Sequence, residues 1–220
     1  MNPSLPPKPT FPPPGQSFID LHTLILRDER FPVVEEKEAY RRYLSVWNRK
    51  VRYPDGRVID WDVVGHDTPN PAFSVVFPFD TQSKTTCLII EYAQGTNDLK
   101  YTFAAGGFDQ KKHQTILDTS KQELSEEMRL TGGEWISLLP QDHDGIGEVK
   151  WSRNRFIPFL VLDPVYDEHP RARDAEELIE IRRNVDIRDL KDIILRGEMM
   201  LPSVQTAWMG LDYLEKGGFL

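Results

Sequence analysis

The chain has 220 residues, of which 39% are hydrophobic and 28% charged, with a formal net charge of −8 and one cysteine. An acidic balance argues against sequence-independent binding to a nucleic-acid backbone, which needs a basic face, but allows a small phosphorylated ligand whose charge a metal neutralises. The lone Cys87 forbids an internal disulfide, no apolar run approaches the ~20 residues of a membrane span, and the N-terminus has no signal-peptide pattern, so a cytoplasmic protein without membrane or nucleic-acid partners is expected.

Residues 3–14 hold seven prolines, which predicts an extended strap over residues 1–16. The Pro6–Pro9 spacing permits P-x-x-P recognition, and a passive strap is the simpler reading. Residues 17–30 and 35–42 are polar mixtures compatible with short helices. Val46–Val51 and Arg57–Val64 flank Tyr53-Pro54-Asp55-Gly56, whose Pro and Gly suit a type I turn. This is the best hairpin signal in the chain, and it defines an N-terminal β extension over residues 17–72 that closes at Pro69–Pro71. Phe73–Phe79 and Thr86–Tyr92 are dense apolar runs, read as central strands around a polar turn at Asp80–Lys84; Cys87 falls in the second as a buried strand residue.

Leu99–Phe103 reads as a strand leading into a small-residue turn, Ala104-Ala105-Gly106-Gly107. A helix follows as far as Arg129, stopped by Gly132-Gly133. Glu134–Leu139 reads as a strand, residues 141–155 as a polar loop, Phe156–Leu162 as a buried strand and residues 164–174 as loop. Glu177–Val185 is a further strand, Asp189–Arg196 a helix closed by Gly197, and Gln205–Lys216 a final helix. The fold class is α+β: a mixed sheet between helices over residues 73–220, with the antiparallel extension ahead of it.

The stretch Gln122-Glu123-Leu124-Ser125-Glu126-Glu127-Met128-Arg129-Leu130 carries the most chemistry. At about 100° per residue, Glu123, Glu126 and Glu127 share roughly one third of the helix circumference, beside an apolar stripe of Leu117, Leu124 and Met128. Carboxylates this close repel, and burying them unpaired is costly. A divalent cation resolves the conflict, and hard oxygen ligands favour Mg²⁺ or Mn²⁺. A solvated acidic face is the plainer alternative.

The order of elements around this helix resembles the Nudix hydrolase family, whose box reads G-x5-E-x7-R-E-U-x-E-E-x-G-U, with U a bulky aliphatic residue. Glu123-Leu124-Ser125-Glu126-Glu127 matches E-U-x-E-E, and Leu130 the last U. Ala105-Gly106, then Phe108-Asp109, are similar to the opening of the box in the ADP-ribose and ADP-sugar pyrophosphatase branch. Val51–Val64 is similar to that branch's N-terminal hairpin, and Glu176–Ile181 with Gly197-Glu198-Met199 to its C-terminal half, so the likeness spans about residues 46–216. The departures are specific. The box positions for the first glutamate, the arginine and the glycine hold Gln114, Gln122 and Arg129. The loop between Gly106 and Gln122 is two residues longer than the pattern, and Gln94 and Thr102 stand where the branch usually has an arginine and a glutamate.

The resemblance implies metal-dependent hydrolysis of a nucleoside diphosphate linked to another moiety, of ADP-ribose or ADP-sugar type, with release of AMP and a sugar phosphate. Glu123, Glu126 and Glu127 would bind Mg²⁺ or Mn²⁺ with a carbonyl of Ala105 or Gly106 nearby, and Glu126 and Glu127 would be central to catalysis. Glu148, Glu176 or Glu177 would be the general base, and Arg153 and Arg155 would clamp phosphate, since arginine forks match its oxygens. Trp47 and Trp61 would offer an aromatic platform to the base, in a homodimer joined through the hairpin. His113 and His143 fit surface polar roles better than catalytic ones. The altered box leaves a second possibility open, a catalytically weak or inactive module that binds a nucleotide or a protein.

Overall fold

The computed structural model describes residues 25, 30–68, 72–173 and 178–220. The Pro-rich residues 3–14, most of the 17–30 segment, Pro69–Pro71 and both Glu176 and Glu177 lie outside the described residues. Two compact units meet in the chain at Val63 and Val64, where the sequence alone suggests a boundary between residues 72 and 73.

The first unit holds a sheet of three strands in the order β1 (Val33–Arg41), β2 (Ser45–Arg52) and β3 (Val58–Gly65, whose last two residues belong to the second unit). The expected turn joins β2 to β3. Tyr53 N donates to Arg57 O at 2.8 Å, and Gly56 takes φ +86°, which glycine adopts without steric cost.

Residues 35–42, read from sequence as a helix, are instead almost wholly strand β1. Glu, Lys, Ala and Arg favour a helix only where tertiary pairing does not compete. Antiparallel pairing sets Glu35 opposite Lys50 and Glu36 opposite Arg49. Lys50 Nζ lies 2.6 Å from Glu35 Oε2, and the Arg49 guanidinium meets Glu36. Such cross-strand pairs contribute roughly 0.2–1 kcal/mol each, at the low end where they are exposed.

The second unit is built on an eight-stranded mixed sheet. Its spine is β4 (Ala72–Asp80), β5 (Thr85–Ala93), β11 (Arg155–Leu162) and β13 (Ile179–Asp186). β4 runs parallel to β11 along its length, while β5 is antiparallel to β13. β4 and β5 pair only at Phe79–Thr86 and Asp80–Thr85 and then diverge. The opening is filled by β6 (Asp98–Thr102) on β5 and β7 (Ala104–Gly107) on β4.

Ala104–Gly107 is therefore a strand inside the sheet and not the turn expected from its glycines. The ladder breaks at Phe103. Its amide is satisfied by Ser203 Oγ at 3.0 Å, and its ring stacks on Phe77 with centroids 4.8 Å apart.

Three helices complete the unit: α1 (Ile116–Met128), α2 (Ile187–Leu195) and α3 (Leu201–Lys216). Helix α1 packs on β7 and β4, and α3 on β4 and β11. Gly210 permits the second contact, because a Cβ there would fall 2.4 Å from Phe77 Cδ1. The fully buried Val75, Phe77, Phe79, Leu88, Ile89, Leu124, Met128, Leu160 and Leu214 form one core. Short strands β8 (Leu130–Thr131), β9 (Glu134–Ser137), β10 (Ile146–Gly147) and β12 (Val165–Tyr166) edge the sheet or pair beside it. Among the described residues no helix is long and apolar enough to cross a membrane.

Candidate active site

Helix α1 is defined at both ends by its own residues. Thr115 accepts from the amide of Asp118 at 3.2 Å, and the Asp118 carboxylate accepts from Thr115 N at 2.8 Å, a reciprocal capping box. At the other end Arg129 takes φ +57°, the left-handed conformation that ends many helices, and the chain passes directly into β8. Leu124 and Met128 are fully buried and fix which face looks at the sheet.

That orientation carries two of the three predicted carboxylates onto β7. Glu127 is buried, and its Oε2 accepts from Ala105 N at 2.9 Å. Glu123, one turn earlier, lies across Gly106, where a Cβ would be 1.9 Å from its Oε1. Ala105 and Gly106 thus receive two carboxylates, one helical turn apart, from one helix face, and glycine is needed at 106 for the close approach. Glu126 is half-buried on the same helix.

The donors that this helix and strand can offer are all oxygens: the carboxylates of Glu123, Glu126 and Glu127 and the backbone carbonyls of β7. This chemistry fits Mg²⁺ or Mn²⁺ and not a soft metal. Among the described residues no group of three or more His, Cys, Asp or Glu side chains is placed to hold a metal ion, and Glu127 is turned to a backbone amide.

Two buried hydroxyls border this contact. Thr119 is one turn before Glu123 on α1. Ser74 pairs with Gly106 in the ladder and, three residues from Phe77, faces the other side of β4 from α3. Neither Thr119 Oγ1 nor Ser74 Oγ has a hydrogen-bond partner among the described residues.

The remaining candidates separate. Ile146, Phe156, Phe73 and Gly107 form one rung across β10, β11, β4 and β7. Glu148, just beyond β10, is therefore at the same end of the sheet as Gly106–Gly107, with about 14 Å of sheet between Ile146 and Gly107. Its Oε2 accepts from Ser152 Oγ at 2.9 Å and Asn154 Nδ2 at 3.3 Å.

Arg153 is half-buried, and its amide donates to Val64 O at 2.8 Å. Arg155 Nη1 donates to Gly145 O at 3.0 Å, so this side chain is committed to shaping the loop. Glu177 lies outside the described residues. Trp47 and Trp61 belong to the first unit; Trp47 is buried, whereas Trp61 is 42% exposed.

The altered box positions have partners of their own. Gln122 Oε1 is 3.0 Å from His113 Nε2 and accepts from Arg171 Nη1 at 2.7 Å. Arg173 Nε and Nη2 donate to the carbonyls of Glu126 and Glu127 at 3.0 and 2.8 Å. Sequence reasoning passed over both arginines. One signal was available: the last turn of α1 has no basic residue, so cations for its negative end had to come from elsewhere in the chain.

No family model matches this sequence, and no curated protein matches it. A solved structure described as the crystal structure of an ADP compounds hydrolase matches 87% of this chain and 98% of its own, with a TM-score of 0.66 at 16% identity. At that identity the likeness establishes a shared fold.

Proposed function

We propose that the chain is a metal-dependent diphosphatase of the Nudix type, acting on a nucleoside diphosphate linked to another moiety, as in ADP-ribose or an ADP-sugar. The carrying observation is the placement of Glu123 and Glu127 on consecutive residues of β7, with Glu126 on the same helix. The fold shared with an ADP compounds hydrolase supports the same reading.

Glu123, Glu126 and Glu127 would hold Mg²⁺ or Mn²⁺, with the Ala105 and Gly106 backbone beside them. When bound, such an ion polarises a phosphate oxygen and lowers the pKa of a water. The chain's own contribution is to fix the carboxylates on a rigid strand–helix pair, to offer Glu148 as a base held by Ser152 and Asn154, and to present Arg153 to phosphate. The assembly proposed is a homodimer, tested by solution mass.

The competing reading is a nucleotide-binding module without turnover. It is favoured by the neutral Gln122 and by the absence of a closed acidic cluster among the described residues.

The experiment is release of AMP from ADP-ribose, ADP-glucose, dinucleotides and nucleoside triphosphates with Mg²⁺ or Mn²⁺. Turnover abolished by Glu126→Gln and Glu127→Gln supports the enzyme. No turnover on any substrate, with nucleotide affinity unchanged in both variants, overturns it.

A further inference from the structure

We propose that Arg173, assisted by Arg171, is a positioning residue that aims the carboxylates of α1; this rests on the reading of that helix as the metal-holding element. The electrostatics of the helix create the need. Glu126 and Glu127 stand in its last turn, where the aligned peptide dipoles already place partial negative charge, and Glu123 is one turn away. The helix has no basic residue in that turn, and Gln122 is neutral.

The missing charge arrives from the segment after β11. This strap is laid along α1 by a series of bonds. Val165 and Tyr166 pair with Thr131 and Leu130. Asp167 N donates to Arg129 O at 3.0 Å, and Asp167 Oδ2 accepts from Ser125 Oγ at 2.6 Å. Arg171 N donates to Ser125 Oγ at 3.3 Å, and Arg129 Nη1 donates to Arg171 O at 2.6 Å.

The strap delivers its two guanidiniums to particular places. Arg173 bonds the carbonyls of Glu126 and Glu127 together, which fixes the two peptide planes that flank Glu127, and with them its Cα–Cβ direction, and holds one of the two planes that flank Glu126. Arg171 bonds the side chain of Gln122, next to Glu123. The three carboxylates, at 123, 126 and 127, lie within the stretch of α1 from 122 to 127 that the two arginines hold.

Arg183 gives an internal control. It also caps this helix end, donating Nη2 to Met128 O at 3.0 Å, but through a residue that has no carboxylate to aim.

The test is Mn²⁺ binding by the full chain, read by electron paramagnetic resonance well below the melting point and without substrate. Arg173→Ala is expected to weaken Mn²⁺ binding by roughly 10–100-fold, as loss of an outer partner does elsewhere. Arg171→Ala weakens it less. Arg173→Lys fails to restore it, because one ammonium does not reproduce a fork on two carbonyls. Arg183→Ala lowers the melting temperature and leaves Mn²⁺ binding at the wild-type value.

If Arg173→Ala and Arg183→Ala destabilise alike and both bind Mn²⁺ as the wild type does, Arg173 is only a cap and the proposal is overturned. Should Arg173→Ala not fold, Arg173→Gln and Arg171→Ala carry the same comparison. A wild-type chain that binds no Mn²⁺ overturns the metal reading itself, and the positioning role with it.

Discussion

Glu123 lies across Gly106 so closely that a Cβ at position 106 would fall 1.9 Å from its Oε1, whereas a Cβ at Gly107, one residue further along the same strand, would meet nothing within 4 Å. The two glycines are chemically identical and structurally unequal. Gly106→Ala displaces the end of a flexible side chain and no backbone, so the fold should survive with a loss below about 1 kcal/mol, while activity falls at least about tenfold. Gly107→Ala should leave both unchanged. Equal effects of the two variants on turnover would show that the contact between Glu123 and Gly106 has no part in the chemistry.

Glu127 has two separable duties. Its carboxylate accepts from Ala105 N, a bond that a glutamine oxygen can also make. Glu127→Gln should therefore melt close to the wild type while losing metal affinity. Glu127→Leu strands a buried amide and should cost a further ~1–3 kcal/mol in urea unfolding.

Thr119 and Ser74 work in the opposite sense. A buried hydroxyl without a partner costs up to ~1–3 kcal/mol, so removing it at constant shape recovers some of that. Thr119→Val should raise the melting temperature or leave it level, and Ser74→Ala should do the same. A clear fall in melting temperature for Thr119→Val would mean that the hydroxyl is satisfied in solution.

Burial pushes the Cys87 thiol up to about 11, despite the nearby Arg183, which acts in the other direction. Thiolate is the reactive form, so the native protein at pH 8 should react with a thiol reagent only slowly and become fast on unfolding in guanidinium. Fast native labelling would contradict the buried position.

The Asp167 carboxyl is held below its ordinary value of 3.8, first by the hydroxyl of Ser125, then by the amide of His169. A depressed folded value means that the stabilisation is present above the ordinary value and is lost as pH falls through the folded one. Asp167→Asn should therefore melt below the wild type at neutral pH, and the gap should close as pH falls below the ordinary value of 3.8. A gap that stays constant over that range would remove Asp167 as an anchor of the strap.

Much of this architecture could be read before any coordinates. The apolar runs of β4, β5 and β11 and the Pro54-Asp55-Gly56 turn declare themselves by periodicity and backbone preference. The carboxylate face of α1 follows from helical geometry alone. What escaped did so for physical reasons. β1 is written in helix-forming residues and becomes a strand only through its partners on β2. Ala104–Gly107 has the composition of a turn, yet it is a strand whose small residues make room for Glu123. Arg171 and Arg173 sit in an irregular segment with no period to betray them, and their roles depend on contacts more than 40 residues away in sequence.

The ends of α1 are unlike in one further respect. Ahead of it, residues 108–114 wander before the cap at Thr115. Behind it there is no slack, since Met128, the left-handed Arg129 and strand residue Leu130 follow without an intervening loop. An extra residue before Thr115 can be absorbed as a larger bulge of loop. The same residue inserted after Met128 would turn the helix about its own axis by about 100°, or pull β8 out of step with β12. Length variation in this part of the molecule is therefore free on one side of the helix and forbidden on the other, and the directions in which Glu126 and Glu127 point are inherited from the strand that comes after them.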